Sequence, residues 1–177
     1  MDRRTAIRNL ALVIGGVAVL PACSRQNPVA HYKHFDISHD QQSLISEISE
    51  TIIPKTATPG AKDLNLHLFV LKMVDDCSKA KDQQDFLKGT DQFAAFAKQA
   101  YNAPFAEMTG SNRELLLNSF NKKKDYPKEM VTFFNTVKGL TIYGYTTSQY
   151  FMTKQIVYEL VPGRYNAFYP VSKIKQA

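Results

Sequence analysis

Tryptophan is absent from this 177-residue chain, and cysteine occurs only twice, at Cys23 and Cys77. Two cysteines exclude a disulfide-stapled scaffold and leave room for one bridge at most. No G-x-G-x-x-G occurs, so the chain has no visible dinucleotide site of its own. The lack of C-x-x-C-H excludes a covalent c-type haem. The lack of G-x-S-x-G and H-E-x-x-H removes the nucleophile elbow and the zinc-protease helix. A stripe of Lys and Arg with interleaved aromatics is also missing. The one lysine run, Lys122 to Lys124, reads as a solvated loop between helices, and no nucleic-acid partner is expected.

What remains is ordinary for one folded domain: 44% hydrophobic and 21% charged residues, with a net charge of +6. That length supports one real core and would make two domains cramped. Residues 1–22 hold Arg3, Arg4 and Arg8 against Asp2, so +2 of the charge belongs to the leader and +4 to the rest.

The leader reads as an address. Arg3 and Arg4 precede an apolar run from Leu10 to Leu20, which is shorter than the roughly 20 residues a bilayer span needs. A basic start, a short apolar middle and a small residue before the cut make a secretory signal over 1–22. The paired arginines match a twin-arginine leader. Leu20-Pro21-Ala22-Cys23 looks like a bacterial lipobox, whose cysteine takes a lipid and becomes the mature N-terminus. Acyl chains on Cys23 would hold the protein on a periplasm-facing membrane surface without a transmembrane helix. The competing reading is an ordinary cleaved signal, with Cys23 free or paired to Cys77.

Residues 23–37 are polar, contain Pro28, and read as a flexible tether. His31 and His34 either share a metal or are simply solvated, and no Cys or carboxylate stands at ligand-like spacing beside them.

From residue 38 to 177 the pattern is helical. Ser38 and Gln41 form a capping-box start, and Leu44, Ile45, Ile48 and Ile52 continue as a stripe that Pro54 stops. Asp63 is placed to cap a second helix with Leu66, Phe69, Val70, Met73 and Val74 facing inward. A third runs from about Lys81 to Tyr101, burying Phe86, Leu87, Phe93, Phe96 and Ala97. Ser111 and Glu114 repeat the capping-box spacing and open a fourth helix through Leu115, Leu116 and Phe120. The fifth is the organising one: Met130, Phe133, Phe134, Val137, Leu140, Thr141 and Gly144 recur at three- and four-residue spacing. Gly144, with no Cβ, would let another backbone come close. Ile156-Val157-Tyr158 reads as a short strand or extended chain. The fold class is therefore all-α: a single bundle of about five helices with ordered Pro/Gly loops, preceded by a signal segment and a tether.

Little catalytic chemistry is left over. Asp75 and Asp76 beside Cys77 would raise a thiol's pKa and oppose nucleophile duty, so Cys77 reads as core. His67 has no obvious carboxylate partner and reads as a packed or surface histidine. No catalytic, cofactor-binding or metal residue is assigned.

The loops identify more than they explain. Ile52-Ile53-Pro54 is followed by Thr58-Pro59-Gly60-Ala61, then by Leu140-Thr141 with Gly144-Tyr145 and Thr147-Ser148, then by Val161-Pro162-Gly163-Arg164-Tyr165. In this order and spacing the chain, from Ser38 to Tyr165, resembles the gluconate 2-dehydrogenase subunit 3 family, the small subunit of membrane-associated flavin dehydrogenases. Ala57, Gln149 and Phe151 stand where that family commonly has Asp, Glu and Gly.

The resemblance implies a large partner, a flavoprotein of the glucose-methanol-choline oxidoreductase type. That partner would bind FAD, oxidise a sugar or sugar acid, and pass electrons to a cytochrome or quinone. This chain would bind no cofactor; it would support folding, twin-arginine export and membrane attachment of the flavoprotein. The partner-interface candidates are Pro54, Thr58, Pro59, Gly60, Gly144, Tyr145, Thr147, Ser148, Pro162, Gly163, Arg164 and Tyr165. Arg164 is suited to a bidentate carboxylate pair and Tyr165 to a rigid aromatic anchor. The alternative is a free-standing envelope lipoprotein that binds a ligand or tethers another component.

Overall fold

The computed structural model describes residues 29–121 and 125–156, together with positions 163 and 168. The leader, Cys23, Lys122 to Lys124, Val157, Tyr158, Pro162, Arg164 and Tyr165 lie outside the described residues.

The chain enters through a short antiparallel hairpin, β1 (Val29–His31) and β2 (Asp36–Ser38), with Val29 opposite Ser38 and His31 opposite Asp36. Among the described residues five α-helices follow: α1 (His39–Ile52), α2 (Leu66–Cys77), α3 (Ala80–Tyr101), α4 (Gly110–Asn121) and α5 (Lys128–Thr146). A 3-10 turn (Phe105–Glu107) links α3 to α4, and a π-helical turn (Phe151–Gln155) follows α5. The protein is thus a helical bundle carrying a two-stranded hairpin.

α5 is the axis of packing. Met130, Phe133, Phe134, Val137, Thr141 and Gly144 are all buried, and Leu140 packs beside them. α3 lies along its first half, where Phe133 meets Phe86 at 5.2 Å and Phe93 at 5.7 Å between ring centroids. α2 lies along its second half, where Phe69 meets Tyr143. α1 reaches α5 through a buried hydroxyl pair, Ser49 to Thr141 at 3.0 Å. α4 closes the side with Phe120, stacked against Phe93 and tilted against Phe134. Each fully buried Phe side chain contributes about 1.5–3 kcal/mol of transfer free energy, so this aromatic seam carries much of the fold.

Several local expectations are corrected. The capping box at Ser38 and Gln41 is present, but residues 29–37, expected as tether, enter the structure. Phe35 and Ile37 are buried, and the carboxylate of Asp75 accepts N–H bonds from Lys33 at 3.1 Å and His34 at 2.8 Å. Asp63 does not cap α2; Asn65 precedes that helix in the left-handed region (φ 51°), and Asp63 serves the loop before it. The α4 start is served by Thr109, whose hydroxyl accepts from Asn112 N–H, two residues ahead of the Ser111 expectation. On α4, Leu117 is buried and Leu115 is exposed, so the helix is rotated from the expected face.

Candidate functional site

The first loop motif is built on two carboxylates. α1 stops at Ile52 because Pro54 has no N–H to continue the ladder. Glu50, in the last turn, then accepts N–H bonds from Lys55 (3.0 Å) and Lys62 (2.8 Å), gathering both arms of the loop. Asp63 accepts from Gly60 N–H (3.1 Å) and from Lys55 Nζ (3.0 Å). The Lys55 ammonium and the Gly60 N–H hold the Asp63 carboxyl below its ordinary pKa. Ala61 N–H returns to Ile53 O at 2.9 Å, and Leu66 N–H to Ala61 O at 3.0 Å.

Gly60 is buried in this knot. A Cβ there would lie 2.6 Å from both Glu50 Oε1 and Lys55 N, so the residue is needed for space. Pro54 and Ala57 are exposed, and Thr58 and Pro59 are half-buried. Most of the loop's N–H groups bond within the loop or to Glu50 and Asp63, which ties its two arms together.

The loop leads straight into the second motif. Leu66 and Phe69, on the first turn of α2, cover Gly144 near the end of α5. A Cβ on Gly144 would lie 2.7 Å from Phe69 Cδ1 and 3.4 Å from Leu66 Cδ2. The expected close backbone approach at Gly144 is therefore an approach of side chains, with an aromatic ring as the nearest group.

After Gly144 the hydroxyls turn inward to the chain itself. Thr146 and Thr147 donate to Tyr143 O, and Ser148 donates to Tyr145 O at 2.7 Å while accepting from Phe151 N–H. Tyr145 packs edge-on against Phe151 at 5.6 Å. Thr147 and Ser148 are thus spent on ending α5 and starting the π-helical turn.

The outward groups here are residues that sequence reasoning missed. Ile142 is 44% exposed and Tyr143 54%, with Leu68 and Ile156 also open to solvent. From Gly139 to Thr153 the chain carries no Asp, Glu, Lys, Arg or His. That uncharged run was the available signal, because large apolar side chains on an uncharged surface mark contact sites more often than solvent faces. The loop 53–65 runs into α2, whose Leu66 and Phe69 pack over Gly144 in the C-terminal half of α5. Of the last motif, only Gly163 is described; it is exposed, with open space around it.

The two hairpin histidines are engaged in structure. His31 Nδ1 pairs with Asp36 at 2.8 Å. His34 Nδ1 faces both the main-chain oxygen of Asp75 (2.9 Å) and its carboxylate (3.2 Å), so that nitrogen carries the proton. The two histidines therefore have separate partners, and among the described residues no group of three or more His, Cys, Asp or Glu is placed to hold a metal.

Burial, and then the Lys62 charge, push the His67 pKa below its ordinary value. Its Nδ1 is buried without a protein partner, at the edge of a cleft of about 210 Å³ lined also by His39, Ser43, Glu47 and Lys62. Cys77, expected in the core, is an exposed free thiol, because the α2 C-terminus is covered by the hairpin and Gln83 on its other sides. No helix among the described residues is long and apolar enough to cross a membrane.

Comparison with curated proteins gave no match, and comparison with solved structures gave none either. The sequence profile described as gluconate 2-dehydrogenase subunit 3 matches residues 39–163, from the first residue of α1 through α5 to Gly163. The chain belongs to the gluconate 2-dehydrogenase subunit 3 family.

Proposed function

We propose that this chain is the non-catalytic accessory subunit of an exported FAD-dependent sugar or sugar-acid dehydrogenase. Membership of a subunit family makes it an accessory component of a dehydrogenase complex; the flavin, the export route and the lipid anchor are the parts of this reading that go further. The flavin is assigned to a large partner of the glucose-methanol-choline type because this sequence has no G-x-G-x-x-G of its own. Electrons would pass from that flavin to a cytochrome or quinone. Arg3 and Arg4 are assigned to twin-arginine export of the folded pair, and Cys23 to its attachment at a periplasm-facing membrane.

The observation that carries the reading is the charge-free, partly apolar run from Gly139 to Thr153 along α5 and into the π-helical turn, inside the family's matched span. A rigid surface with exposed Ile142 and Tyr143 suits a permanent protein contact, since little order has to be gained on binding.

The reading is tested by deleting this chain's gene in a strain that keeps the large subunit, then fractionating the cells. The account expects the flavoprotein to remain cytoplasmic and the membrane dehydrogenase activity to vanish. An exported, fully active flavoprotein in the deletion strain contradicts it.

A further inference from the structure

The hairpin fixes where the chain enters the bundle. Val29 stands opposite Ser38, and Ser38 is the N-cap of α1. Phe35 and Ile37 are packed in the core, and Asp75, itself 1% exposed, holds the hairpin turn through Lys33 and His34. The entry point is therefore locked to the N-terminal end of α1. From there α1 runs 14 residues, about 21 Å at the helical rise, to the loop at Pro54 and, through Ser49 and Thr141, to the α5 C-terminal half.

Only six peptide steps separate Cys23 from Val29, which span about 20 Å at full extension. A domain of this size is roughly 40 Å across, so the connection is shorter than the body it holds. We propose that the hairpin end of the bundle faces the bilayer, and that the loop 53–65 and the C-terminal half of α5 point away from it. This inference rests on the assignment of a lipid to Cys23. The lipid surface is the occupant because of the chain length that ties it there. Near the entry point His31 pairs with Asp36 and Lys72 with Asp76, while Lys33 of the hairpin turn is exposed; the length of the connection, not charge, is what assigns this face. The uncharged surface is thereby left facing the aqueous side, where a large partner can reach it.

The test uses the full chain, processed and lipidated in bacteria, then inserted into preformed phosphatidylcholine vesicles bearing a headgroup-attached spin label. A fluorophore is placed on Val29→Cys or Ala57→Cys, each in a Cys77→Ser background, and on native Cys77 as a third position needing no substitution. Quenching severalfold stronger at positions 29 and 77 than at 57 is expected. Equal or reversed quenching, on protein whose mass shows the diacylglycerol at Cys23, overturns the orientation alone. A mature mass without lipid overturns the anchor assignment and the orientation with it.

Discussion

Gly89 on α3 lies directly against the main chain of Glu129 at the start of α5, and a Cβ there would sit 2.6 Å from Phe133 Cβ and 2.9 Å from Glu129 C. The two helices meet backbone to backbone at this point, and Lys88 Nζ pairs with Glu129 Oε1 at 2.5 Å beside it. Gly89→Ala is expected to destabilise the fold by about 1–3 kcal/mol through overpacking. Gly139→Ala, on the exposed face of α5 with nothing within 4 Å, is expected to stabilise it by about 0.5–1 kcal/mol through helix propensity. Urea unfolding of the two variants checks the pair, and opposite signs are the expected outcome.

The Ser49–Thr141 hydroxyl pair is wholly buried. Ser49→Ala leaves the Thr141 hydroxyl without its cross-helix partner and is expected to cost about 1–3 kcal/mol. The double variant Ser49→Ala with Thr141→Val removes both polar groups. It is expected to cost less than the sum of the single changes, and a double-mutant cycle in urea measures the difference.

Asp75 gives the hairpin a pH dependence. Burial pushes its carboxyl pKa up, but the N–H bonds from His34 and Lys33 and the His34 ring outweigh that and leave it below the ordinary value. A carboxyl depressed in the folded state contributes stability above its unfolded pKa and loses it as pH falls through the folded one. Wild type is therefore expected to melt well above Asp75→Asn at pH 7. The gap should narrow as pH falls below the ordinary carboxylate range. Thermal melts at neutral pH and near pH 3 check this, and a constant gap would count against it.

Gly60→Ala tests the loop knot. The added methyl meets a backbone nitrogen as well as the Glu50 carboxylate, so the loop must open rather than merely shift a side chain. Faster proteolytic cleavage between residues 53 and 65 is the expected result, together with a loss of about 1–3 kcal/mol in global stability.

The α5 face was legible because a 3.6-residue period survives in its sequence, and every expected residue from Met130 to Gly144 is buried or packed against the core. Gly89 was not legible. A helix-interior glycine declares its role only when its neighbour is known, and Glu129 is 40 positions away in sequence. The hairpin at 29–38 was missed because its strands are three residues each, too short to show a period of two. Asp75, beside Cys77, looked like a helix-end carboxylate; the partners that bury it, Lys33 and His34, come from a segment that reads as polar tether. Of the candidate surface, the loop and Gly144 were visible through their motifs. The exposed Ile142 and Tyr143 were hidden, because apolar residues at helical spacing read as core until the packing face is fixed.

The central claim, that a dehydrogenase subunit docks on the uncharged face, is tested most directly by one capture measurement. Tagged wild type and Tyr143→Asp, co-expressed with the large subunit, are purified from membranes and compared by flavin absorbance per chain, with the melting temperature of each isolated chain as control. Wild type is expected to carry a second, larger, yellow polypeptide, and Tyr143→Asp to lose it while melting within a few degrees of wild type. Equal flavin in both preparations would contradict the placement of the interface, and no flavin in either would contradict the account as a whole.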